Sequence, residues 1–541
     1  MDSKIALEEF LFNCKENDII KAGLVLEHFD QFGEAQQRRI LFELNKTDEA
    51  FAIPLFIHLI VTNETAVINY PTIVETVLDK SGHHPDVIVK QISVNSPEQF
   101  YYVKIAGLLH LKDAIPNLLE ALHNTSDEKV LIEIFQSLGI LKSTVAIKPM
   151  GAFLLIDNMQ LIYQVVIALL KIGGSESRNM IAKGYGKAEN IDLVFLSAFA
   201  LVKNDFSLKM LSLAVKSGRV KQRNFAKVKL SEVGLVAIPI LSENLFSNDT
   251  DLQIHSLNIL QDIGDPEAIP PVRKLLNRHP ENKNVRFTAY ETLANLPGQK
   301  GDYVLAAGLA DDDDSIRFAA AQAINNNLSP VLLSGIQNMI TVESTESNRI
   351  TRAIIDAQTS NLALGLMENP SFRKFFIEYM EKKAHQELKD HYLNLLQQNG
   401  YTEMVNLIAT ESKIEKSVST QKIVCAVDDS KMILNIYRSV LNDLGYKPVL
   451  FEYPSEFLAS FKEIKPSLVF TDLNMPEISG INLIETLRKD FKPEELPVVM
   501  VTTQRNAIDD NSAYQAGANR IISKPFNLTQ IKAVFEDLKL R

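Results

Sequence analysis

The chain has 541 residues, 46% hydrophobic and 23% charged, which is ordinary for globular proteins and too long for a single core. No run of about 18 apolar residues occurs, so no membrane span is expected. The formal charge of -11 falls almost wholly outside residues 421–541, which makes nucleic acid an unlikely partner. Cys14 and Cys425 alone cannot build a disulfide framework and fit a reducing, cytoplasmic setting.

The first residues, MDSKIALEEFLFNCKEND, carry acids inside their apolar stretch and offer no small-residue cleavage site. They read as a first helix and not as a signal peptide. Beyond them a pattern recurs: Ala-Ile-Pro, an apolar helix, a polar break, a second apolar helix. Residues 113–142 show it, as do 236–265 and 267–298, with weaker copies at 145–174 and 301–327. Ile115 and Ile147 lie 32 residues apart, Ile238 and Ile269 lie 31 apart, and Ile147 to Ile238 is 91, close to three units. Leu118, Leu119 and Leu122, then Val130, Ile134 and Leu138, fall at helical spacing. Pro116, Pro239 and Pro270 suit a first helical turn, and Gly139, Gly173 and Gly264 suit helix ends.

These units resemble HEAT repeats, the helical pairs of an α-solenoid. The resemblance is strong at 113–174 and 236–327 and blurred at 1–112, 175–235 and 328–400. A single pair cannot bury its own apolar face, so residues 1–408 are expected to stack into a curved rod of about 10–12 pairs. The charged pair at 371–400 is expected to cap it, and the Ser-, Thr-, Lys- and Glu-rich residues 409–421 read as a linker. Within the solenoid, Asp311–Asp314 read as a turn that caps the next helix. The basic cluster Lys216, Arg219, Lys221, Arg223, Lys227 and Lys229 reads as a solvated helix face, with an anionic docking patch as the alternative.

From residue 422 the texture changes. Short apolar runs (IVCAV, PVLFE, SLVFT, PVVMV, NRIIS) alternate with five amphipathic helices, the pattern of an α/β doubly wound, five-stranded parallel sheet. In such sheets the working site lies beyond the strand C-termini. Asp428 and Asp429 follow the first strand, Asp472 the third, Thr502 and Thr503 the fourth, and Lys524 with Pro525 the fifth. Clustered carboxylates need a cation to hold them together, and a hard divalent ion bound through oxygen, Mg²⁺, suits them. A carboxylate oxygen can then act as nucleophile toward a phosphoryl group while an ammonium and a hydroxyl hold the phosphoryl oxygens.

Residues 422–541 resemble, along their whole length, the flavodoxin-like receiver domain of response regulators. The matching segments are VDDS at 427–430, TDLNMPEISG at 471–480, VTT at 501–503 and SKPF at 523–526. The resemblance implies that Asp472 accepts the phosphoryl group. It implies that Asp429, Asp472 and the backbone carbonyl of Asn474 bind Mg²⁺ directly, and that Asp428 does so through water. Thr502 and Lys524 would contact the phosphoryl group, Pro476 and Gly480 shape the loop after the acceptor, and a cis bond would precede Pro525. Asn474 and Gln504 would tune dephosphorylation. The switch position, often aromatic in the family, is Ile521 here, so aromatic switching at that place is not available.

The expected whole is a bacterial-type cytoplasmic response regulator of a two-component phosphorelay. A sensor histidine kinase would phosphorylate Asp472, and the HEAT-like, armadillo-type helical domain would relay the state by binding another protein. No His sits in a recognisable phosphotransfer helix and no further catalytic domain is visible, so no enzymatic output is expected. The alternatives to this output are DNA binding by the solenoid, disfavoured by its charge, and a lyase-like activity of the kind some HEAT-like proteins have on pigments.

Overall fold

A computed structural model describes residues 3–297, 303–340, 344–411, 421–475, 477–503 and 507–540. It divides into two compact units, Met1–Leu211 and Ser212–Arg541. Pro476, Gln504 and most of the expected linker (412–420) lie outside the described residues.

The first unit is helical. Its later helices stack in alternation: Gln99–Leu108 on Glu128–Ile140, that on Met159–Ile172, and that on Glu189–Val202. The Ala-Ile-Pro signature has a physical meaning here and in the second unit. Ala114, Ala146, Ala237 and Ala268 are fully buried at short 3₁₀ turns, where a larger side chain would push the helix away. Pro116, Pro239 and Pro270 follow in the first helical turn, where no amide donor is needed. The polar break then caps the second helix: Asp127, Asp249, Asn282 and Asp313 each accept a backbone amide of the first turn, worth about 1 kcal/mol apiece. Gly173 and Gly264 end their helices at positive φ, as expected. Gly139 does not. It lies inside Glu128–Ile140, where an added Cβ would stand 3.0 Å from the Ala168 Cα, so its service is close helix approach.

In the second unit, Val220–Val233, Thr250–Ile263, Lys283–Asn295, Asp314–Asn326, Thr345–Asp356 and Pro370–Lys382 stack each on the next. The pair at 371–400 is not terminal, because Thr402–Glu411 follows and packs on both of its helices. The basic cluster is solvated only in part. Arg223 is buried, with Nη1 donating to the Ser217 carbonyl at 3.1 Å, and Lys227 is half-buried. Asp311–Asp314 form the expected turn, with Asp311 also pairing to Arg286 at 2.7 Å.

The same unit ends in a parallel sheet of β1 (Ile423–Val427), β2 (Lys447–Phe451), β3 (Leu468–Asp472), β4 (Val498–Thr502) and β5 (Arg520–Ser523), in order β2-β1-β3-β4-β5. Helices α1 (Lys431–Asp443), α2 (Pro454–Ile464), α3 (Gly480–Arg488), α4 (Ala507–Ala516) and α5 (Leu528–Asp537) alternate with the strands. Strands β3 and β4 are buried at every position, as strands covered on both faces must be. Among the described residues no helix is long and apolar enough to cross a membrane.

A carboxyl inside this unit is held in a place that disfavours its charge. Asp356 accepts from Tyr379 Oη at 2.7 Å and from Arg352 Nε at 3.1 Å, and Arg352 also reaches Asp443. Burial outweighs the pull of Arg352, and the Asp356 carboxyl is pushed up from 3.8 to about 6. A carboxyl raised on folding stabilises below its unfolded value, and that contribution is lost as pH rises through about 6. Asp356→Asn is therefore expected to gain stability relative to wild type between pH 4 and pH 7, by at most about 3 kcal/mol. Urea unfolding of both proteins across that range checks this, and parallel curves would contradict it.

Candidate phosphorylation site

Register brings the acids together. Val427 pairs with Thr471, Asp472 with Val501, and Thr502 with Ser523, so the strand ends form one level edge. Asp428, Asp472, Thr502 and Lys524 stand there, all nearly or fully buried, while Asp429 opens to solvent. Lys524 Nζ lies 2.7 Å from Asp428 Oδ2 and 3.0 Å from Asp472 Oδ1. The peptide bond between Lys524 and Pro525 is cis. The other Asp472 oxygen accepts the Asn474 amide at 3.1 Å. Asp428 Oδ1 accepts the Ser430 amide at 3.1 Å, and Ser430 Oγ in turn caps α1 at Ile433.

Glycine is required at 480. Its amide donates to the Leu473 carbonyl at 3.0 Å, and a Cβ there would stand 2.0 Å from the Asp472 carbonyl oxygen. The loop after Asp472 is thereby drawn against β3. Ile521 is buried in the sheet core with Val498, Met500 and Ala518.

The electrostatics are those of crowded anions around one cation. Burial, then repulsion from Asp472, raises the Asp428 carboxyl well above the usual range against the pull of Lys524. Protein crowding, followed by Asp472, pushes Asp429 up to about 7 even though one edge is open. Burial lowers the Lys524 value, but Asp428, Asp472 and Asp429 together outweigh it and the net shift is upward.

This donor set suits Mg²⁺. The oxygens are hard and the acids outnumber the ammonium facing them. Mg²⁺ needs only one or two protein carboxylates because it keeps several waters. The side-chain oxygen of Asn474, whose amide binds Asp472, is buried without a hydrogen-bond partner.

Comparison with known proteins decides the family. A family model for the response regulator receiver domain matches residues 424–536, and one for HEAT repeats matches 238–325. A chemotaxis protein CheY homolog of Campylobacter jejuni is 35% identical over 116 residues, 21% of this chain and 88% of that protein. This chain belongs to the response regulators. The regulator is also 34% identical over 112 residues to chemotaxis protein CheY1 of Helicobacter pylori, covering 20% of the chain and 90% of that relative. A solved structure of chemotaxis response regulator CheY4 of Vibrio cholerae is 26% identical and matches 22% of the regulator and 99% of that structure, with a TM-score of 0.21. The regulator thus joins a receiver domain to a helical part that contains HEAT repeats, and a receiver implies a phosphodonor such as a histidine kinase or phosphotransfer protein.

Sequence reading did not find what faces the site of the regulator. Glu291, from the helix Lys283–Asn295, accepts a hydrogen bond from Ser430 Oγ. Burial raises its carboxyl, opposed by that bond and by Lys524 and reinforced by Asp472. Lys227, from the helix Val220–Val233, is lowered to about 8, by burial and then by Arg223, while Asp472, Asp262 and Asp429 pull the other way. Neither residue sits in a recognisable motif. The only signal was the basic cluster itself, and a solvated face was the natural reading of it.

Proposed function

We propose that this response regulator accepts a phosphoryl group on Asp472 and that the resulting state controls a protein interaction of its helical domain. The supporting observation is the buried ammonium of Lys524, shared between Asp428 and Asp472 at the edge where the strands end. Asp428 is fully buried and Asp472 is 6% exposed, so Asp472 is the buried carboxylate that a donor can reach. In this reading a domain of residues 1–408, whose last helix runs on to Glu411, is followed by a linker within 409–421 and a receiver at 422–541.

One Asp472 carboxylate oxygen attacks phosphorus, the bond from phosphorus to the donor's leaving atom breaks, and the electron pair leaves with the donor. The product is an acyl phosphate. Asp429, Asp472 and the Asn474 carbonyl would hold Mg²⁺, with Asp428 acting through water; when bound, the ion offsets the charge that accumulates on the phosphoryl oxygens. Lys524 then turns from pairing a carboxylate to pairing the phosphoryl group, and the Thr502 hydroxyl donates to another of its oxygens. Asn474 and Gln504 set how long the acyl phosphate survives. With Ile521 in the core, no aromatic ring at that position reports the state.

The donor is a sensor histidine kinase or a phosphotransfer protein, and the setting is bacterial and cytoplasmic. Two experiments test the whole. Labelling by a small phosphodonor must depend on Asp472, and the proteins captured by wild type with beryllofluoride must differ from those captured by Asp472→Ala. Identical sets of captured proteins would remove the output half of the reading.

A further inference from the structure

The helical domain touches the receiver at the edge where the phosphoryl group would arrive. Three site loops are each held by one of its side chains. Glu291 takes the Ser430 hydroxyl after β1, Asn284 Nδ2 donates to the Thr503 carbonyl after β4 at 3.4 Å, and Ser315 Oγ donates to the Phe526 carbonyl after β5 at 3.0 Å in a buried contact. Two ion pairs flank them on α1: Arg352 with Asp443 at 2.9 Å and Glu387 with Arg438 at 3.2 Å. Glu291, Ser315 and Arg352 come from three successive stacked helices, so the contact is a continuous ridge.

Resting on the assignment of Asp472 as phosphoacceptor, we propose that the helical domain and the phosphoryl group compete for this edge, and that Glu291 is the positioning residue that makes the two exclusive. Through Ser430, whose amide also binds Asp428, Glu291 holds the loop that carries Asp429. The acyl phosphate carries about 1.5–2 negative charges at pH 7 where the Asp472 carboxylate carried one, a net gain of about one. That gain would come in a place where burial already disfavours the Glu291 carboxylate. Lys227 offers a counter-charge from the same domain, but Arg223 beside it and the acid Asp262 already share its field. Binding linkage is reciprocal: whatever factor the phosphoryl group takes from docking, docking takes from phosphoryl occupancy. The free helical ridge is then the surface offered to a partner.

The test uses the full chain and beryllofluoride with Mg²⁺ as a phosphoryl mimic. Fluorine NMR reads occupancy, and hydrogen exchange reads the amides of 430–434 and 526–530. In wild type, exchange there is expected to rise about tenfold on occupancy, within the usual range of coupling. Glu291→Gln keeps an acceptor for Ser430 but not the charge, so its loops should stay protected with the mimic bound. Glu291→Ala, which breaks the contact outright, should exchange fast with or without the mimic. Occupancy with unchanged protection in wild type would overturn the proposal and leave the receiver reading standing. So would increased protection, the result expected if Lys227 reads the phosphoryl group. No occupancy in wild type or in either variant would overturn the receiver reading, and the proposal with it.

Discussion

Asp472→Asn is expected to lower the initial rate of labelling from a small phosphodonor such as acetyl phosphate by at least about a thousandfold, the scale on which loss of a nucleophile acts. Asparagine keeps the size of the side chain and one acceptor for the Asn474 amide, so the loop should hold its place. What is lost is the carboxylate oxygen that attacks phosphorus. Neighbouring acids cannot take over easily: Asp428 is fully buried, and Asp429, though open to solvent, is not one of the two carboxylates paired with Lys524. The label on wild type should be base-labile and should vanish when Mg²⁺ is chelated. Undiminished labelling of the Asn variant, or label mapped to another residue, would sink the assignment.

Lys524→Met has the largest expected effect on stability. The ammonium is nearly buried and lies within 3.0 Å of two carboxylates. Removing one partner from a buried charge set leaves the others uncompensated, at a cost of about 3–5 kcal/mol. The pH dependence has a definite sign. Without Lys524, the Asp428 carboxyl, already raised by burial, rises further, because the attraction that opposed burial has gone. A carboxyl raised on folding is destabilising above that raised value, so the deficit of the variant should be smallest near pH 4 and grow toward pH 8. Millimolar Mg²⁺ should recover part of it, since an ion that binds only the folded state stabilises by mass action. Denaturant unfolding at three pH values with and without Mg²⁺ reads all of this. A deficit independent of pH would mean that packing, and not charge, is what Lys524 supplies.

If the Glu291 contact behaves as proposed, Asp472→Asn and wild type should differ in the helical domain as well. Asp472→Asn, which cannot be phosphorylated, would stay docked under phosphodonor, whereas wild type would release its ridge. The helical part would then serve as cover in one state and as binding surface in the other. A rigid stack suits this, because a ridge built from successive helices moves as a unit while single side chains make the contacts with the receiver.

Period and spacing in the chain were enough for the repeats, the parallel sheet and the five residue types at its edge. Each of these depends on local order: a helix shows its apolar face every three to four residues, a buried strand is apolar throughout, and the residue after a strand lies at the sheet edge whatever surrounds it. Gly139 was misread for the opposite reason, since a glycine at a helix end and one under a crossing helix look alike without the neighbour, here Ala168. Arg223 and Lys227 were read as solvated because charge usually is, and only the fold turns them inward. Glu291 and Ser430 stand 139 residues apart. Nothing in either segment announces the other, and a contact at that separation is decided by which helix of the stack lies level with which strand end. That is a property of packing in three dimensions, where electrostatic pairing is chosen by distance through space and not along the chain.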